Sequence, residues 1–153
     1  MLTFDRVRPD DPEVAPLFDA FIREADGPLE VEIDIEAEIA TGPPQELAGP
    51  HGVLLLARVD GEPAGLGGVR FLDTEAAEVK TMFVTPAFRG QGLARAILAE
   101  LERIAREHSC RRTQLDTSAY LTPAVALYRA AGYREVPPYN ANPKADLWFE
   151  RQL

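Results

Sequence analysis

Between Met82 and Leu98 the chain reads MFVTPAFRGQGLARAIL. The stretch opens as an apolar strand and closes as an amphipathic helix, with a proline, two glycines and charged side chains in between. Gly90 and Gly92 leave the main chain bare, so a ligand can approach backbone N–H groups closely. The amides that open a helix lack intrahelical acceptors and carry the positive end of its dipole. Arg89 and Arg95 add charge-assisted donors at either edge. These residue types in this order suit a diphosphate or similar anion. Met82 and Val84, on the strand just before the turn, offer a track for the rest of such a ligand. Taken alone, a Gly-x-Gly also fits a flexible turn with its arginines in water. Two other phosphate loops are excluded. No Gly-Lys-Ser or Gly-Lys-Thr follows, and the dinucleotide fingerprint lacks its third glycine and its opening βαβ unit.

The other reactive side chains narrow the chemistry further. Cys110 is the only cysteine of the 153 residues, which rules out an intramolecular disulfide and a thiolate metal site. His51 and His108 stand far apart and show no metal-ligand spacing, so no metal is expected. The net charge of −9 argues against nucleic acid and anionic membranes as partners. Its distribution is uneven: residues 1–50 hold 13 acidic and 3 basic residues, a net −10, and six of the acids fall between Asp26 and Glu38. No apolar run approaches the ~20 residues that cross a bilayer, and the N-terminus has no signal-peptide core. A cytoplasmic location is the expectation.

The elements that must position these residues follow from pattern and punctuation. LTFDRVR alternates as a first strand. DDPEVAPLFDAFIREADG reads as a helix with Leu17, Phe18, Phe21 and Ile22 on its apolar face, Pro16 delaying its start and Gly27 stopping it. LEVEIDIEAEIATG is divided between strand and helix, and is read as a loop and short helix. Val53–Val59 and Ala64–Leu72 form a hairpin about DGEP; DTEAA turns the chain again into the strand AEVKTMFV. Leu93–His108 has helical spacing. A strand around Thr113–Thr117 follows, and the intervening crossover helix makes it parallel to the strand before the glycine loop. Thr122 as N-cap and Pro123 at the first helical position begin a last helix that Gly132 ends. YREVPPY and ADLWFERQL form a final hairpin with NANPK in the linker. The expected class is mixed α/β, one domain over residues 1–153, in the order β-α-α-β-β-β-α-β-α-β-β.

Two segments together resemble a known family. VTPAFRGQGLARAIL resembles the acyl-CoA signature of the GNAT superfamily of N-acetyltransferases, Arg/Gln-x-x-Gly-x-Gly/Ala, whose defined places Arg89, Gly92 and Ala94 fill. AVALYRAAGYREV, Ala124 to Val136, resembles the second hallmark, an Ala-Leu-Tyr helix followed by Gly-Tyr or Gly-Phe. The two lie at the family's separation, and the element order fits from Leu2 to Leu153. The resemblance implies acetyl-CoA as co-substrate, with its pyrophosphate on main-chain donors of Gly90, Gln91, Gly92, Leu93, Ala94 and Arg95. Its pantetheine arm would lie in a gap where two central strands splay apart, against Met82, Phe83 and Val84, with Thr117 on the far side. Where many members carry an asparagine before the last helix, this chain has Leu121, Thr122 and Pro123.

Acyl transfer to an amine sets three requirements. The amine must be neutral, yet at a pKa of about 10 only about one part in a thousand is neutral at pH 7. The oxyanion needs donors, for which the amides near Phe83 and Val84 are candidates. The leaving thiolate needs an acid, and the resemblance gives that role to Tyr128, with Tyr120 nearby as a second candidate. Glu78 is the candidate base, acting through water; alternation would put Glu78, Lys80, Met82 and Val84 on one face. Asp116 and the acids of residues 26–38 are alternatives. The family's first helix-loop-helix region shapes the acceptor site, and here it holds the surplus carboxylates. The expected reaction is therefore direct transfer, in a ternary complex, to a cationic primary amine on a small molecule or protein, by a monomer or homodimer. The alternative is a non-catalytic acyl-CoA binding or sensing module on the same fold.

Overall fold

In the computed structural model, which describes residues 1–25, 34–72 and 74–153, the chain runs β1 (Leu2–Val7), α1 (Val14–Ala25), α2 (Ile35–Thr41), β2 (Gly52–Val59), β3 (Glu62–Phe71) and β4 (Ala76–Val84). A single 3₁₀ turn (Pro86–Phe88) leads into α3 (Leu93–Glu107), followed by β5 (Arg112–Thr117), α4 (Thr122–Ala130), β6 (Arg134–Glu135) and β7 (Leu147–Gln152). This is the expected element order. The strands form one sheet, β1-β2-β3-β4-β5-β7-β6. Only β4 and β5 run parallel, because α3 carries the chain back between them. Among the described residues no helix is long and apolar enough to cross a membrane.

Local chemistry explains most of the boundaries. Asp60 and Gly61 take φ values of 50° and 84°, the left-handed pair of a two-residue hairpin turn. Pro16 falls in the first turn of α1, where its missing N–H costs nothing, so the helix starts earlier than expected. Thr122 is not the cap of α4: Leu121 takes that place and makes no side-chain cap bond. β6 is far shorter than YREVPPY suggests, because Pro137 and Pro138 have no N–H to offer a neighbouring strand. The stop expected at Gly27 and the acids Asp26, Glu30 and Glu32 lie outside the described residues, as does Asp73 of the DTEAA turn.

Strand alternation splits the core between the two faces of the sheet. Leu55, Val69, Ala77 and Val79 pack with Ile97, Leu98 and Leu101 of α3 and with Tyr128 of α4. Leu54, Leu56, Leu66 and Phe83 pack with Val14, Leu17, Phe18 and Ile22 of α1. Helix α3 sits so close that a Cβ on Gly67 would lie 2.3 Å from Ile97 Cγ2.

The sheet opens at its centre. β4 pairs with β5 only from Ala76 to Glu78, against Arg112 to Gln114; Leu115, Asp116 and Thr117 pair with β7 alone. Beyond Glu78 the two strands diverge, giving the expected splay. A bulge accompanies it: Thr81 takes φ 57°, and the β3–β4 register shifts between Leu66 and Gly68. The extra residue inverts the side-chain alternation. Ala77 and Val79 face α3, so Glu78 and Lys80 face the α1 side, yet Met82 and Val84 return to the α3 side. The expectation that Glu78, Lys80, Met82 and Val84 share a face is thereby corrected.

Candidate active site

The turn from β4 to α3 presents a row of free donors. Gly90 and Gly92 adopt φ 77° and 80°, a region that costs a residue with a Cβ about 1–2 kcal/mol. The amides of Gly90 through Arg95 donate to no acceptor among the described residues; the first helical bond is Ala96 N to Gly92 O at 3.1 Å. Gly90, Gln91, Gly92 and Arg95 are exposed, Ala94 is half-buried, and Leu93 turns into the core. Consecutive outward amides at the positive end of a 15-residue helix suit a doubly charged phosphate group. Arg95 has no partner among the described residues.

Arg89 lines the smaller cavity and is also bonded within the chain. Its Nε donates to Val84 O at 2.9 Å, its Nη2 meets Glu24 Oε2 of α1 at 2.5 Å, and its guanidinium lies 5.5 Å from the Phe83 ring centre. The reason lies in the splay. Thr85 N donates to Ala64 O at 2.9 Å, so Val84 faces Gly65 as a non-hydrogen-bonded pair. The N–H and C=O of Val84 consequently point into the gap that β5 has vacated. Arg89 takes up the carbonyl and leaves the N–H facing the gap.

Two cavities meet at this gap. The smaller, about 360 Å³, is lined by Met82, Phe83, Val84 and the glycine loop. The larger, about 770 Å³, lies between α1, α2, the splayed strands and residues 142–145, and includes Lys80, Asp116 and Thr117 in its walls. Met82, Ala124 and Tyr128 line both. Tyr128 is only 6% exposed; its ring stands edge-on to Tyr133, with centres 5.9 Å apart. Its hydroxyl has no hydrogen-bond partner among the described residues. Burial, and then the charge of Asp116, hold this phenol well above the ordinary range, so it stays neutral. Tyr120 is committed elsewhere, donating to Ala25 O at the end of α1.

Glu78 is 1% exposed and lines neither cavity. Its Oε1 accepts from Arg70 Nη2 at 2.6 Å and lies 3.5 Å from Lys80 Nζ. Its Oε2 accepts from Tyr139 Oη at 2.8 Å and Asn140 Nδ2 at 3.4 Å. Asn140 also donates to Asp116 Oδ2 at 2.8 Å and accepts from Trp148 Nε1 at 2.9 Å, while Asn142 donates to Asp116 Oδ1 at 3.1 Å. Sequence reasoning missed Arg70, Tyr139, Asn140 and Asn142. The run NANPK, read only as a linker, was the available signal for the asparagines, since asparagines in such density order loops through their side chains; Tyr139 reads in the sequence as the end of a strand. Of the acidic surplus, Asp34 and Glu38 reach the larger cavity, where Glu38 pairs with Lys144. Among the described residues no cluster of His, Cys, Asp or Glu is placed to hold a metal ion.

Comparison with known proteins gives one consistent picture. The family model described as Acetyltransferase (GNAT) family matches residues 14–133. An IAA acetyltransferase of Azospirillum brasilense is 36% identical over 114 residues, covering 71% of this chain and 73% of its own. The N-alpha-acetyltransferase RimI of Mycobacterium tuberculosis is 33% identical over 114 residues, covering 67% and 70%. Among solved structures, the PaiA N-acetyltransferase of Thermoplasma acidophilum in complex with coenzyme A superposes with a TM-score of 0.78 over 100% of this chain and 99% of that one, at 13% identity, which is a likeness of fold.

Proposed function

The chain belongs to the GNAT acetyltransferase family, and on that premise we propose that it moves an acetyl group from acetyl-CoA directly to a cationic primary amine while both are bound. The observation that carries this reading is the unpartnered Tyr128 hydroxyl at the meeting of two cavities, one of them edged by the free amides of Gly90 to Arg95. Those amides and Arg95 hold the pyrophosphate; the edge of Met82, Phe83 and Val84, with Thr117 opposite, holds the arm that leads to the thioester. Coenzyme A supplies an activated acyl group, and the chain supplies position, donors and proton transfer.

The Val84 N–H, facing the gap, stabilises the carbonyl oxygen as charge builds on it. Tyr128, kept neutral by burial, protonates the departing sulfur, whose ordinary pKa is about 8.5. The N–C bond forms as the C–S bond breaks; of the two protons the ammonium loses, one ends on sulfur and one on water. Asp116 stands in the cavity wall with neutral amide partners and receives the amine's first proton through water. Glu78, linked to it through Asn140, is the second carboxylate of this relay and orients it. Asp116, in the wall of the larger cavity with no cation at ion-pair distance among the described residues, favours a positively charged group on the acceptor.

An amine panel with acetyl-CoA tests the reading by following free thiol. Thiol release with at least one amine, lost when Tyr128 is replaced, is the expected result. Stabilisation by acetyl-CoA without release for any amine would instead identify a binding module.

A further inference from the structure

Lys80 and Asp116 occupy matching places on the two lips of the splay. The last rung between the strands pairs Glu78 with Gln114. Each residue lies two positions beyond that rung, so alternation puts both on the face of the larger cavity, and both line it. The cavity's other charges are accounted for: Lys144 pairs with Glu38, and Asp34 is exposed and caps α2 by accepting from Ala37 N at 3.1 Å. Lys80 and Asp116 are not balanced in this way. The Glu78 oxygen 3.5 Å from Lys80 Nζ is already taken by Arg70 at 2.6 Å. One buried carboxylate thus serves two cations, and Arg70 Nε has no partner among the described residues. Asp116 shows the converse. Both of its oxygens accept from neutral amides, and no cation lies within ion-pair distance of it among the described residues. One lip carries surplus positive charge and the other surplus negative charge, and partly buried charge is costly until paired. An amine without an anionic group would answer only Asp116.

We propose that the acceptor is a small amino acid-type zwitterion, its ammonium held by Asp116 and its carboxylate by Lys80; the proposal rests on the acetyl-transfer reading above. The ammonium end then lies on the cavity wall that Asp116 shares with Tyr128, and the carboxylate spans the gap toward β4.

The test offers protein saturated with coenzyme A the proteinogenic α-amino acids and their decarboxylated counterparts. Binding is followed by calorimetry, and turnover with acetyl-CoA by thiol release. At least one amino acid is expected to bind and react, with kcat/KM about 10- to 100-fold above its decarboxylated counterpart, as one charge-assisted contact provides. Lys80→Gln should narrow that gap by raising the amino acid's KM by a similar factor, and Lys80→Arg should restore it in part. Three results would each overturn the proposal: decarboxylated amines that react as well as amino acids, an equal loss for both classes in Lys80→Gln, or no amino acid binding to the loaded protein. Failure of the acetyl-transfer reading looks different: coenzyme A itself does not bind, or no amine of either class releases thiol.

Discussion

Replacing Tyr128 with phenylalanine removes a single oxygen and leaves the packing of its ring intact. The hydroxyl has no hydrogen-bond partner among the described residues, so its loss strands no buried donor or acceptor, and the ring keeps its contacts with Tyr133 and Phe149. Stability should change by no more than about 0.5 kcal/mol, about 1–2 °C in Tm for a chain of this size. Activity should fall much further. A positioned general acid is worth about 10²–10⁴-fold, or about 3–5 kcal/mol of barrier, and the loss should appear in kcat with little change in the KM for acetyl-CoA. Tyr133→Phe provides the opposite control. The Tyr133 hydroxyl donates to Glu102 Oε2 at 2.9 Å and bonds Thr113 Oγ1 at 2.6 Å in the core. Its removal should cost about 1.5–3 kcal/mol, or about 3–12 °C, while kcat of the folded protein holds. The assay pairs thiol-release kinetics with thermal unfolding on both variants. Full kcat in Tyr128→Phe, or an activity loss that merely tracks unfolding, would refute the assignment.

Arg95→Ala should raise the KM for acetyl-CoA about fivefold, the value of about 1 kcal/mol for one exposed ion contact, and the increase should shrink at high salt; a salt-independent change would place Arg95 outside the phosphate contact. Gly67→Ala drives a methyl to 2.3 Å from Ile97 Cγ2 and 3.1 Å from Leu101 Cδ1. It should cost about 1–3 kcal/mol of overpacking, read by urea unfolding; an unchanged midpoint would mean that α3 does not press on the sheet there. Burial raises the phenols of Tyr128 and Tyr133 above the usual range. Below about pH 10 both folded and unfolded chains keep these protons, so the contribution to stability is complete. As the pH rises past that value the unfolded chain releases them while the folded one does not, and stability should fall by up to about 1.4 kcal/mol per pH unit for each. Urea titrations from about pH 9 to about pH 11 check this, and Tyr133→Phe should flatten the slope.

The order of elements and the donor-rich loop were legible in the chain because short-range chemistry decides them, whereas the place of Tyr128 at the site was legible only through the resemblance of AVALYRAAGYREV to the family's second hallmark. Helical spacing places Ile97, Leu101 and Ile104 on one buried stripe, and only glycine sits without penalty at the φ values of Gly90 and Gly92. The bulge at Thr81 was not legible, and it alone determines that Lys80 faces the larger cavity while Val84 faces α3. Nothing in AEVKTMFV marks it, since it arises where β4 meets the glycines of β3 and loses β5 as a neighbour. Arg89 reads as a phosphate ligand in the sequence; the structure keeps it in the wall of the smaller cavity and adds a bond from its Nε to the carbonyl that the splay leaves open on Val84, which the sequence does not show. Glu78 and Tyr139 are 61 positions apart, and Asn140 and Asp116 are 24. Their network depends on β5 and β7 bringing distant segments to one edge of the gap. Backbone preference acts over a few residues and can be read from them, whereas the partner of a buried charge is settled only when the sheet has closed around it.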